Sequence, residues 1–110
     1  MMKPEQEDLE LMEVFGYTLI RNGKWKKAGV LIRTMVMLWP DYGPAHRMLS
    51  YVYLHSGEPA KALAEAVILQ DLIPGDPAGF LLKSRALWAL GRTEDAASMF
   101  SRYMEALDER

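Results

Sequence analysis

Three glycines set the period of this chain. Gly23, Gly57 and Gly91 are spaced 34 residues apart, and each is followed five residues on by an alanine: Ala28, Ala62 and Ala96. Twelve residues beyond the alanines stand Pro40, Pro74 and, in the last copy, Asp108. A 34-residue period of helix breakers and small residues is the pattern of stacked helix–turn–helix units. One such unit cannot bury its apolar face alone, so copies must stack, and stacking builds a concave surface rather than a catalytic site. The period divides the chain into repeat one (9–42), repeat two (43–76) and repeat three (77–110), each with a first helix A and a second helix B.

Local chemistry agrees with that division. Asn22-Gly23, Ser56-Gly57 and Leu90-Gly91 end the A helices, glycine supplying the left-handed conformation beyond the last turn. Pro59 suits the first position of the second B helix, where a missing N–H costs nothing. Thr93 is expected to cap the third B helix, with Glu94 and Asp95 in its first turn. Pro40 and Pro74 stop B helices, and Asp76-Pro77 starts the third A helix. Apolar residues recur at steps of three and four: Leu9, Met12, Phe15 and Leu19 in the first A helix, then Ala28, Leu31, Ile32, Met35 and Leu38 in the first B helix. The repeating alanine lets helix B approach helix A closely, where a larger side chain would overpack. Gly16 opposite Ala28 serves the same end, and Ser50 and Ser84 take its place in later repeats.

Composition removes several function classes. Half of the 110 residues are hydrophobic, a quarter are charged, and the net charge is −2, so no global field favours nucleic acid or an anionic membrane. With no cysteine there is no disulfide framework, thiol nucleophile or thiolate metal site. The stretch MMKPEQEDLE is acidic and reads as no signal peptide, and no apolar run approaches the roughly 18 residues of a membrane span. The expectation is a cytoplasmic protein. Arg21, Lys24, Lys26 and Lys27 around Trp25 read as a solvated turn rather than a nucleic-acid site. His46 and His55, nine residues apart, match no zinc spacing and assemble no triad, so neither an enzyme nor a metal or cofactor site is expected.

Gly16, Gly23, Ala28 and Pro40, with Gly57, Ala62 and Pro74, resemble the tetratricopeptide repeat, and the likeness covers about 100 residues in three in-phase copies. The resemblance implies an all-α fold: three tandem helix–turn–helix repeats in a short right-handed α-solenoid with a concave groove. The position that usually holds a helix-packing aromatic is Met12, His46 and Phe80. Pro59 sits where an aromatic is frequent, and Trp25 fills that place in repeat one. In this family the A helices line the groove. Its groove positions fall on Glu13, Tyr17, Ile20 and Arg21, on Arg47, Tyr51, Leu54 and His55, and on Leu81, Arg85 and Trp88. Aromatics and arginine are enriched at interface hot spots, so the expected ligand is a peptide with apolar anchors and some acidic groups. The family variant that grips a C-terminal carboxylate uses lysines and asparagines where this chain has Glu13, Tyr17, Met48 and Ala78, so an apolar peptide is favoured.

A second interface is expected where apolar residues exceed the needs of packing within a repeat: Val30, Val36, Met37 and Trp39 on the first B helix, and Met104 in the stripe Met99, Phe100, Tyr103, Met104 and Leu107. The functional reading is a non-enzymatic chaperone or adaptor that holds an amphipathic helix of a small partner. The segments LIRTMVMLWPDYGPAHR (31–47) and SRALWALGRTEDAASMFSRYMEAL (84–107) resemble the small chaperones of bacterial type III secretion, of the YscY and YscG types. That likeness implies a small secreted or needle-type client, a second small chaperone or second copy as further partner, and a role in virulence. The alternative is a homo-oligomeric scaffold without a peptide client.

Overall fold

The computed structural model describes residues 5–109 as six helices: α1 (Gln6–Arg21), α2 (Trp25–Leu38), α3 (Gly43–His55), α4 (Pro59–Leu72), α5 (Pro77–Ala89) and α6 (Thr93–Asp108). The first four residues of the acidic N-terminal stretch, and Arg110 at the end of repeat three, lie outside the described residues. No strand occurs among the described residues. Each A helix ends in the same motif. Gly23, Gly57 and Gly91 have φ of 71°, 73° and 80°. The N–H of each donates to the carbonyl three residues back, and the next N–H reaches five back: Lys24 to Leu19 at 2.8 Å, Glu58 to Tyr53 at 2.9 Å and Arg92 to Leu87 at 2.9 Å. These paired bonds satisfy the last A-helix carbonyls and aim the chain into helix B. Lys24, Glu58 and Arg92 then accept, through their own carbonyls, from the N–H of Ala28, Ala62 and Ala96.

That geometry moves one expected cap. Thr93 is the first residue inside α6 rather than its cap, because Arg92 already supplies the carbonyl that opens the helix. Glu94 and Asp95 do occupy the first turn, and Arg92 Nη2 pairs with Asp95 Oδ2 at 2.7 Å. Asp76 caps α5, its carboxylate accepting from the N–H of Ala78 at 3.0 Å. Pro59 and Pro77 take the first helical positions of α4 and α5, and α2 and α4 stop two residues before Pro40 and Pro74.

The repeating alanines are fully or almost fully buried, and α5 packs on α6 as α3 does on α4 and α1 on α2. Ser50 Oγ donates to the carbonyl of Ala62 at 2.8 Å, and Ser84 Oγ to that of Ala96 at 3.0 Å. The hydroxyl at this position therefore clamps helix A to helix B. Gly16 faces two neighbours: a Cβ there would stand 3.6 Å from Ile32 Cγ1 of its own helix B and 2.7 Å from Met48 Cε of α3. It makes room both for helix B and for the next repeat. Leu9, Ile32, Met35, Met48, Leu49 and Val52 form the main core, with Met12 and Leu19 half-buried against it. Phe15 departs from the expected apolar stripe and is exposed, since no described element covers that side of α1.

Ala62 tests the close A–B approach. Ala62→Leu forces extra methyl groups into a fully buried crossing and should cost about 1–3 kcal/mol. Urea unfolding with an unchanged midpoint would show that the crossing has slack.

Candidate functional site

Consecutive A helices lie close together, α1 by α3 and α3 by α5, whereas among the described residues no two B helices approach as closely. The A helices are therefore the inner layer. Side chains at steps of three and four on that layer converge: Tyr17 and Ile20 from α1, Arg47, Met48 and Tyr51 from α3, and Ala78, Leu81 and Leu82 from α5 enclose a cavity of about 260 Å³. Tyr51, Leu54, His55 and Arg85 border a second recess of about 400 Å³. Trp88 is exposed at the far end of the same layer, beside Phe100 of α6. Arg21 is exposed in the last turn of α1 and lines neither recess.

Polar groups stitch the three A helices together. The hydroxyl of Tyr42 donates to Glu13 Oε1. Arg47 Nη2 donates to the hydroxyl of Tyr17 at 2.8 Å, and Arg47 Nη1 lies 3.9 Å from Asp76 Oδ2 at the cap of α5. Arg47 is thus occupied within the chain and is not the free carboxylate clamp that its place in the groove suggests. Arg85 is exposed and makes no ion pair among the described residues, which leaves it available to an acidic group.

The site contains one aromatic that the groove positions omit. Trp25, at the start of α2, stacks on His55 with ring centroids 4.3 Å apart and planes 7° from parallel. Tyr51 meets His55 edge-on at 4.5 Å. The available signal was the repeat phase, which sets Trp25 one period before Pro59, at the rim that faces the next A helix. The other histidine is structural. His46 is buried, with Nδ1 2.6 Å from Glu65 Oε2 and Nε2 2.7 Å from the Pro40 carbonyl, tying the end of repeat one to α3 and α4. Among the described residues no three His, Asp or Glu side chains gather as a metal site, and no helix is long and apolar enough to cross a membrane.

The proposed second interface divides. Val36, on α2, and Trp39, just beyond its end, are half-buried and pack on the main core. They do not form an exposed patch. Val30, Met37 and Met104 are exposed.

No family model matches the sequence. Its fold is shared with solved structures of tetratricopeptide-repeat domains and type III secretion chaperones. PcrH in complex with the chaperone binding region of PopB superposes with a TM-score of 0.94 at 17% identity, over 100% of this chain and 89% of that one. The type III secretion translocator chaperone SycD of Yersinia enterocolitica gives 0.91 at 14% identity, over 96% and 80%. The first TPR of Spaghetti (RPAP3), bound to the HSP90 peptide SRMEEVD, gives 0.89 at 14% identity, over 100% and 87%. The chain is an all-α protein with the tetratricopeptide-repeat fold, and it resembles those chaperones in architecture.

The Glu13–Tyr42 contact has a pH consequence. Donation to the Glu13 carboxylate, then burial and the nearby negative charge, push the Tyr42 phenol up to about 12 from 10.0. A group raised in the folded state adds stability below its unfolded pKa and loses it as pH climbs through the folded value. The stability advantage over Tyr42→Phe should therefore hold below pH 10.0 and vanish by about pH 12. Denaturant midpoints across that window, for both proteins, check it; a constant difference contradicts the contact.

Proposed function

We propose that the chain is a non-enzymatic chaperone whose inner face holds an amphipathic helix of a small partner protein, and that the partner is an export component of a bacterial type III secretion system. The observation that carries the reading is the apolar cavity shared by all three A helices, walled by Tyr17, Ile20, Met48, Tyr51 and Leu81. At about 260 Å³ it falls below the roughly 300–1,000 Å³ of small-molecule clefts, and it suits one or two anchoring side chains of a peptide. Apolar anchors at i, i+3 and i+4 are what an amphipathic helix offers to such a groove.

The lining also argues for the class of ligand. Tyr17, Met48 and Ala78 replace the cationic and amide groups that would grip a terminal carboxylate, so recognition rests on apolar burial, with Arg85 and His55 at the rim for an acidic residue. PcrH bound to the chaperone binding region of PopB supports a client of the secretion type. The HSP90-peptide complex supports the more general use of this fold as a peptide holder. A cytoplasmic chaperone of this kind needs no chemistry: it keeps an assembly-prone helix covered until export.

The test is capture of the tagged protein from its native cells, with bound proteins identified by mass spectrometry. The expected catch is a small helical exported protein. Leu81→Asp places a charge in the cavity and should weaken that complex by about 30-fold or more, as loss of an interface hot spot does. Tyr51→Ala should weaken it in the same direction. A catch that both variants retain, or none from any form, overturns the proposal.

A further inference from the structure

The chain makes the same junction between consecutive units twice. At the first, α3 lies across α1 and α2: Met48 fills the space left at Gly16, and Val52 Cγ1 stands 3.7 Å from where a Cβ on Gly29 would be. At the second, α5 lies across α3 and α4, with Gly79 so close that an added Cβ would be 3.4 Å from Gln70 Cβ. Each junction has a donor face on an A helix and an acceptor face on the unit before it. The donor face of α3 is Ala45, Met48, Leu49 and Val52, all buried.

Both faces occur once more, uncovered by any described residue. One period before the donor face of α3 lie Leu11, Val14, Phe15 and Thr18 on α1. Val14 is 64% exposed where Met48 is 2%. Two periods beyond the acceptor face of repeat one lies that of repeat three, and Phe100 is 46% exposed where Ile32 is 0%. A cavity of about 470 Å³ opens there, with Ser84, Ala96 and Ala97 among its lining residues and Trp88 and Phe100 beside them. Small residues flanked by aromatics form a seat that a helix can approach closely.

We infer that α1 of one copy docks on α5 and α6 of a second copy as a fourth A helix, so that the chain self-associates head to tail. Shifting the existing contacts by whole periods gives the pairs. Gly16 with Met48 becomes Ser84 with Val14, Gly29 with Val52 becomes Ala97 with Thr18, and Gln70 with Gly79 becomes Met104 with Leu11. A second copy is the occupant because one chain carries both halves of the junction, each in the phase of surfaces that already fit one another. An unrelated partner would have to match only one half. The donor and acceptor faces differ, so the contact is heterologous and leaves one unused face at each end of any assembly. It extends the inner face across the junction and uses no client, so it stands or falls separately from the proposed chaperone role.

Sedimentation equilibrium across a micromolar-to-millimolar concentration series tests it. The wild-type mass should climb above the monomer value of 12.5 kDa as concentration rises. Val14→Glu blocks the donor face and Ala97→Glu the acceptor face. Both positions are exposed, so circular dichroism should be unchanged, and each variant alone should remain monomeric. Leu11→Lys should repeat the donor result. An equal mixture of Val14→Glu and Ala97→Glu retains one sound face on each chain and should form dimers, twofold in mass and no larger. A wild type that is monomeric throughout overturns the inference. So does an association that survives either variant, or one that mixing does not restore, as in a face-to-face dimer.

Discussion

Helix A and helix B of each unit meet at one alanine, and the rest of the molecule depends on that contact. Its N–H donates to the carbonyl that opens helix B, and in repeats two and three its carbonyl accepts from the serine of helix A. A side chain no larger than methyl allows the backbones to approach, and the bonds fix their register. The glycine five residues earlier, at positive φ, delivers the chain to that point. Because the glycine and the alanine recur every 34 residues, each unit turns from helix A to helix B in the same way. Units that turn alike stack in the same sense, which puts all A helices on the inner side and gathers their side chains.

The same constancy explains how polar and apolar groups share the inner face. Tyr42 with Glu13, and Arg47 with Tyr17 and Asp76, span from one A helix to the next. They hold the helices at a spacing that leaves an apolar cavity between them. The cost of burying Arg47 partway is offset by its two partners, so the cavity keeps apolar walls without an unpaired charge. The uncovered faces of α1 and α6 are the other result of identical stacking: a periodic surface has no intrinsic end.

Much of the fold was legible in the sequence because glycine, proline and alanine act locally. Helix ends at Gly23, Gly57 and Gly91, and starts at Pro59 and Pro77, follow from backbone chemistry within a few residues. The convergence of Tyr17, Ile20, Arg47, Tyr51 and Leu81 was legible only through the resemblance to the tetratricopeptide repeat, whose groove positions fall on those residues. What was not legible depends on neighbours distant in the chain. Phe15 sits in a core phase but no described element covers it, whereas Val36 and Trp39 look superfluous in repeat one yet pack on the main core. Arg47 reads as a free cation until Tyr17 and Asp76 are brought beside it. Trp25, set among lysines, reads as part of a solvated turn until α3 brings His55 over its ring. Thr93 lost its capping role to Arg92 because the glycine motif, one residue earlier, decides which carbonyl opens the helix.

The inner face is the central claim, and site-specific photo-crosslinking in native cells tests it most directly. A photoreactive residue at position 81 reports on the cavity shared by the A helices, and one at position 67, exposed on α4, reports on the outer layer. The account predicts adducts with a small exported helical protein from position 81 and none from position 67. Equal adducts from both positions, or a client crosslinked only from position 67, would contradict it.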